Sequence, residues 1–184
     1  MALIGLENLH YAKITSESES EIIYEEPKRV APAIQVELSV DKESKILYGD
    51  NIPQENISVF KGGTVKIKTT DLPQEFVALA LGKKQKDGVT MSNSADDAPY
   101  LALGFCANKS NGQVKFVWLY KIKFSEPSDD YETQGDSIEF KVPELEGTIL
   151  SKPNGDWKID FVGAKDSEIA TNWFKKVQQS VDIE

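Results

Sequence analysis

Residues 99–124 read PYLALGFCANKSNGQVKFVWLYKIKF, and this stretch decides the fold. Leu101, Leu103 and Phe105 alternate with the smaller Ala102, Gly104 and Cys106, which is the period of a strand. Asn111-Gly112 then supplies the left-handed backbone that a tight turn between twisted strands requires. The return arm places Val114, Phe116, Trp118, Tyr120, Ile122 and Phe124 at a strict period of two, which predicts one buried face. The other face carries Gln113, Lys115, Lys121 and Lys123, interrupted by Val117 and Leu119. That second face is apolar at its centre and polar at its ends. It predicts cover by a helix or by a neighbouring subunit.

Working outward, 184 residues with 40% apolar side chains make one domain with a sizeable core. No apolar run reaches the length of a membrane span, and MALIGLENLH has none of the basic and apolar regions of a signal peptide. The lone Cys106 sits in a predicted strand and reads as a small buried apolar residue. A net charge of −9 disfavours phosphate-tracking affinity for nucleic acid.

Residues 1–14 carry Leu3, Ile4, Leu6, Leu9, Tyr11 and Ile14 and read as an extended N-terminal arm or edge strand that docks on something. Ile34, Val36, Leu38 and Val40 alternate with polar residues as a half-buried strand. Lys45–Tyr48 continues it or pairs with it. Residues 41–62 are long for a connection in a compact domain, which marks them as an interface loop. Thr64 to Thr70 is a strand, with Val65 and Ile67 on one side. Asp71 with Gln74 three residues on has the form of a capping box, and Gly82 stops the helix it would open. Strands follow at Ile138–Lys141, Glu144–Leu150 and around Trp157, Ile159 and Phe161. Asp166 or Ser167 caps a final helix over 166–182. The expected class is β-rich α+β, with about eight strands and two helices.

Catalytic patterns are lacking: there is no P-loop, dinucleotide fingerprint, His-Glu-x-x-His or paired-cysteine motif. His10 is the one histidine and lies in the arm. Asp96-Asp97 and Asp129-Asp130 have the chemistry of a metal or acid–base site, but adjacent loop residues face different directions. The expectation is a non-enzymatic binding or assembly protein without cofactor or metal.

The order of several segments resembles one family. GLENLHYAKIT at 5–15 is followed by PKRVAPAIQVELS at 27–39, ILYGDN at 46–51 and VKIKTTDLPQEFVALALG at 65–82. DGV at 87–89, DDAPYLALGF at 96–105, NGQVKFVWLYKIKF at 111–124 and TQGDSIEF at 133–140 follow in the same order, then NGDWKI at 154–159 and NWFKKV at 172–177. This colinear set resembles the major tail protein, or tail-tube, family of long, non-contractile-tailed bacteriophages and prophages of Gram-positive hosts. Gly49 departs from the alanine that commonly precedes the aspartate in that family.

The resemblance implies a β-sandwich or barrel flanked by a helix. Six copies would close into a ring, and rings would stack into the tube through which the genome leaves. Partners would be further copies of the chain and other tail proteins (tape measure, tail terminator, distal tail protein). DNA would pass without specific binding, and the protein would reside in the virion tail after assembly in the host cytoplasm. Within that frame, Leu6, Leu9, Tyr11, Leu47, Tyr48, Ile52 and Ile57 are the candidate interface residues. Glu37, Ser39, Glu139 and Lys141 are the candidate lumen-facing ones. The competing reading is a monomeric β-sandwich binding module, for example one for carbohydrate, with Trp118, Tyr120 and Trp157 as its contacts.

Overall fold

A computed structural model describes residues 2–19, 21–49, 52–128 and 142–179. The strand-rich stretch forms the expected hairpin, β8 (Leu101–Lys109) and β9 (Val114–Phe124), turned at Gly112 with φ 83°. Around it lie β1 (Leu3–Glu17), β2 (Ile22–Tyr24), β3 (Lys28–Arg29), β4 (Ala33–Gly49), β5 (Ile52–Thr69), α1 (Gln74–Leu81), β6 (Lys84–Lys86), β7 (Val89–Met91), β10 (Glu144–Leu150), β11 (Lys158–Gly163) and α2 (Glu168–Asn172). The main sheet runs β2-β1-β8-β9-β10-β5-β4, with β3 beside β1 and β11 beside β9. Strands β10 and β11 share one edge of β9, pairing with residues 121–124 and 114–119 respectively. The chain is β-rich with two short helices among the described residues.

The return arm does not bury a single stripe. Leu101 opposes Ile122 but Leu103 opposes Leu119, so β9 carries one extra residue near Tyr120 and Lys121. Such a bulge inverts the face of every residue beyond it. Val114, Phe116, Trp118 and Tyr120 therefore enter one core, with Ala170, Trp173 and Val177 from the C-terminal segment. Val117 and Leu119, then Ile122 and Phe124, enter the other. That core also takes Leu9, Val65, Ile67, Phe76, Leu145 and Ile149, so the sheet curls around it beneath α1. Burial on both faces explains the apolar Val117 and Leu119.

One contact joins the two layers of the hairpin. A Cβ on Gly104 would lie 2.7 Å from the Trp118 ring, so the indole rests directly on the strand backbone. The Trp118 Nε1–H donates to the Trp173 carbonyl at 3.1 Å. The largest buried side chain thereby ties β8, β9 and the C-terminal segment together.

Four expectations about elements are corrected. Residues 1–14 are not a separate arm, because β1 pairs with β8 from Leu3 to Lys13 and buries Leu9 and Ala12 on opposite sides. A bulge at Asn8, whose φ is 57°, interrupts this pairing between Glu7 and His10, and asparagine tolerates that conformation. Residues 41–62 belong to a long hairpin, since β4 and β5 pair continuously from Ala33–Thr69 to Gly49–Ile52. The helix opens at Pro73, without a side-chain cap. The ring of Pro73 drives Leu72 out of helical geometry, which leaves Asp71 outside. Gly82 ends α1 at φ 70° as expected. Ser167 caps α2, accepting from Ala170 N at 3.3 Å, but α2 stops at Asn172. The next turns tighten to Trp173 N to Ala170 O and Lys175 N to Asn172 O, both 3.2 Å. The expected strand at Ile138–Lys141 and the end of the 166–182 helix lie outside the described residues.

Gly104→Ala tests the Trp118 contact. It is expected to lower unfolding free energy by about 3 kcal/mol, the upper part of the overpacking range, because a rigid ring cannot yield. Urea denaturation followed by tryptophan fluorescence measures this, and an unchanged midpoint would contradict it.

Candidate assembly surfaces

Each strand alternation now assigns a face. On β4, Val36 and Leu38 lean against the first core while Glu37 and Ser39 are exposed. Register carries this exposed face across the sheet. Glu37 opposes Lys66, which opposes Glu146; Ser39 opposes Thr64, which opposes Thr148 and then Lys123. Lys66 Nζ lies 3.1 Å from Glu146, and Lys68 lies 3.1 Å from Glu144. The Glu146 hydrogen bond raises the Lys66 pKa above its ordinary value.

The lysines of β9 are matched too. Lys121 reaches Glu17 at 2.6 Å, Lys123 reaches Asp97 at 2.6 Å, and Lys115 reaches Asp160 at 3.3 Å. Burial opposes the Asp160 charge, yet Lys158 and Lys115 hold its carboxyl below the usual range. The face that contains Glu37 and Ser39 is therefore balanced in sign, not acidic. Exposed pairs of this kind add little stability each, but they leave a polar surface with little net field. Glu139 and Lys141 lie outside the described residues.

The candidate interface residues separate. Leu9 is fully buried in the chain's own core, so it cannot be a contact. Leu6 and Tyr11 are half-buried, and the Tyr11 ring packs on Phe76 at 4.9 Å. Ile57 and Val59 are exposed on one face of the β4–β5 hairpin, at 54 and 52%, and Ile46 on its other face, at 47%. The side chains of Leu47, Tyr48 and Ile52 lie outside those described. Sequence reading missed Val59, whose apolar character in an exposed strand was the available signal.

The residues offered for a ligand platform are placed otherwise. Trp118 and Tyr120 are 0 and 2% exposed, so neither can stack on a sugar. Trp157 stacks instead on Phe60 at 5.0 Å. Asp96 and Asp97 diverge: Asp96 Oδ2 accepts from Asn93 N at 2.7 Å, while Asp97 pairs with Lys123. Asp129 and Asp130 lie outside the described residues. Among the described residues, no group of three or more His, Cys, Asp or Glu side chains is placed to hold a metal ion. No helix there is long and apolar enough to cross a membrane. No protein-family model matches the chain, and no curated protein matches it by sequence.

His10 holds the C-terminal segment against β1. Its ring stacks on Phe174 with centroids 4.5 Å apart, and Nδ1–H donates to the Asn8 carbonyl at 2.8 Å. Burial, with Arg29 across the strand pair adding to it, holds the imidazole pKa below its ordinary value. The unfolded chain then binds this proton more readily than the folded one. Stability is fully present above about pH 6.5, the unfolded value, and declines as pH falls through it. The urea midpoint is expected to drop between pH 7.5 and 5.5 (roughly one unit on either side of that value) in the wild type. The slope should be smaller in His10→Gln, and an identical slope in both proteins would contradict this role.

Proposed function

We propose that the chain is a structural subunit that assembles with copies of itself, the tail-tube protein of a long-tailed, non-contractile phage or prophage. The observation that carries this reading is the outer part of the β4–β5 hairpin. Strand β10 pairs with β5 only between Gly63 and Lys68. Beyond that point, residues 42–49 and 52–61 pair with each other alone among the described residues. A two-stranded ribbon is marginal in water by itself, and this one keeps Ile46, Ile57 and Val59 exposed. Large apolar groups on a projecting ribbon suit burial against another subunit.

The remaining features support the same reading. Among the described residues β4 and β11 each pair on one side only, and such edges would be closed by neighbouring sheets in a ring. The matched charges around Glu37 and Ser39 suit a bore that neither grips nor strongly repels phosphate. In this reading six copies form a ring, rings stack, and DNA passes without specific binding. The tape measure, terminator and distal tail proteins meet the tube, which lies in the virion tail and assembles in the host cytoplasm. No cofactor or catalytic step takes part.

Joining Lys42 to Phe60 through an Asn-Gly turn removes the outer ribbon with Ile46, Ile57 and Val59 and keeps Phe60 stacked on Trp157. The variant is expected to keep the strand signature in circular dichroism. It should retain the mass of one chain by light scattering at concentrations where the full chain forms rings or tubes. Equal assembly of both proteins would contradict the proposal.

A further inference from the structure

The small hairpin β6–β7 stands apart from the main sheet. Its turn places Asp87 and Gly88 at φ 51° and 78°, the two left-handed residues that match strand twist. Lys84 opposes Met91 and Lys86 opposes Val89, so these four side chains share one face. All four are exposed, Val89 and Met91 at 63 and 67%.

At the far end of the main sheet, β2 presents the opposite composition. Ile22 is buried and Tyr24 turns inward to donate its hydroxyl to the Tyr120 carbonyl at 3.1 Å. The alternate residues Glu21, Ile23 and Glu25 are exposed on the other side. Strand β2 pairs only with β1 among the described residues, and the Gln179 side-chain amide donates to its Ile22 carbonyl at 2.7 Å.

These two strips combine charges that have no ion pair with exposed apolar side chains, Val89 and Met91 on one and Ile23 on the other. Lys66, Lys68, Lys83, Lys115, Lys121, Lys123, Lys158 and Lys165 all reach carboxylates. Lys84, Lys86, Glu19, Glu21 and Glu25 form no ion pair among the described residues. Lys175 and Lys176 border the β2 groove but make no ion pair with its glutamates. We infer that the Lys84–Lys86–Val89–Met91 face of one copy docks on the Glu21–Ile23–Glu25 strip of a second copy of this chain. Lys84 and Lys86, two residues apart, lie about 6.6 Å apart, and Glu21 and Glu25, four apart, about 13 Å apart. The two long lysine side chains splay to meet the two glutamates while Val89 and Met91 cover Ile23 between them. Each copy offers one strip of each kind, a contact that propagates from subunit to subunit and closes as a ring when its rotation allows.

This inference rests on the self-assembly proposed above and names one of its contacts. The test compares the wild type, Lys84→Glu/Lys86→Glu, Glu21→Lys/Glu25→Lys and the fourfold variant, by light scattering, with circular dichroism to verify folding. Each double variant alone is expected to lose assembly at least tenfold in concentration. Mixing the two, or joining them in the fourfold variant, should restore it. Wild-type assembly should also weaken at least tenfold between about 0.05 and about 0.5 M NaCl, as screening shortens the reach of the charges. Double variants that assemble like the wild type would overturn this contact and leave the self-assembly reading standing. Loss in both without restoration, or no salt dependence, would also overturn it. A wild type that stays a single chain at every concentration would overturn both.

Discussion

The indole of Trp118 lies on the backbone of Gly104 and donates to the carbonyl of Trp173. Nearly everything else in the chain depends on that arrangement. A side chain at position 104 would displace the ring, and without the ring the C-terminal segment would lose its anchor. The bulge near Tyr120 completes the constraint by sending Ile122 and Phe124 to the opposite core. A single hairpin thus forms a wall of both cores, which is why its two strands are the most buried in the molecule. Aromatic packing continues from this point, with Phe116 and Phe174 touching the two tryptophans at about 6 Å, a spacing at which ring pairs attract.

The parts of the fold that were legible in the sequence are those fixed by short-range chemistry. The Asn111-Gly112 turn, the Gly82 stop, the Ser167 cap and the Glu144–Leu150 strand all follow from residues within a few positions of one another. The bulge was not legible because Val117 and Leu119 are apolar as well, so the pattern of β9 is compatible with either face. Lys45–Tyr48 was read as continuing the strand or pairing with it, and it continues β4. The rest of 41–62 was read as an interface loop because both faces of the hairpin's described outer part meet solvent. Without a buried side, the alternation that marks a strand is weak. Strand β1 was read as an arm or an edge strand without a named partner, for the converse reason. Its apolar residues were evident, but their partner β8 lies about a hundred residues away, beyond the reach of local pattern (the bond from Asn8 to Cys106 spans 98 positions).

The candidate surfaces show the same division. Glu37 and Ser39 fall on the solvent face as their alternation implies, yet the lysines opposite them become visible only through register. Leu9 and Ile57 are both aliphatic residues in strands, but one is enclosed and the other exposed, and no composition argument separates them. What the folded chain adds is economy of charge. Most lysines of the sheet find carboxylates, while the projecting ribbon keeps Ile46, Ile57 and Val59 exposed and the β6–β7 hairpin keeps Val89 and Met91 exposed. In the proposed assembly these are the regions through which the sheet would join its neighbours.

Electron microscopy of the concentrated full-length protein tests the central claim, self-assembly into a hollow structure, most directly. The account predicts rings with a central hole, alone or stacked into tubes. A field of single-chain particles at every concentration, with no ring or tube, would contradict it.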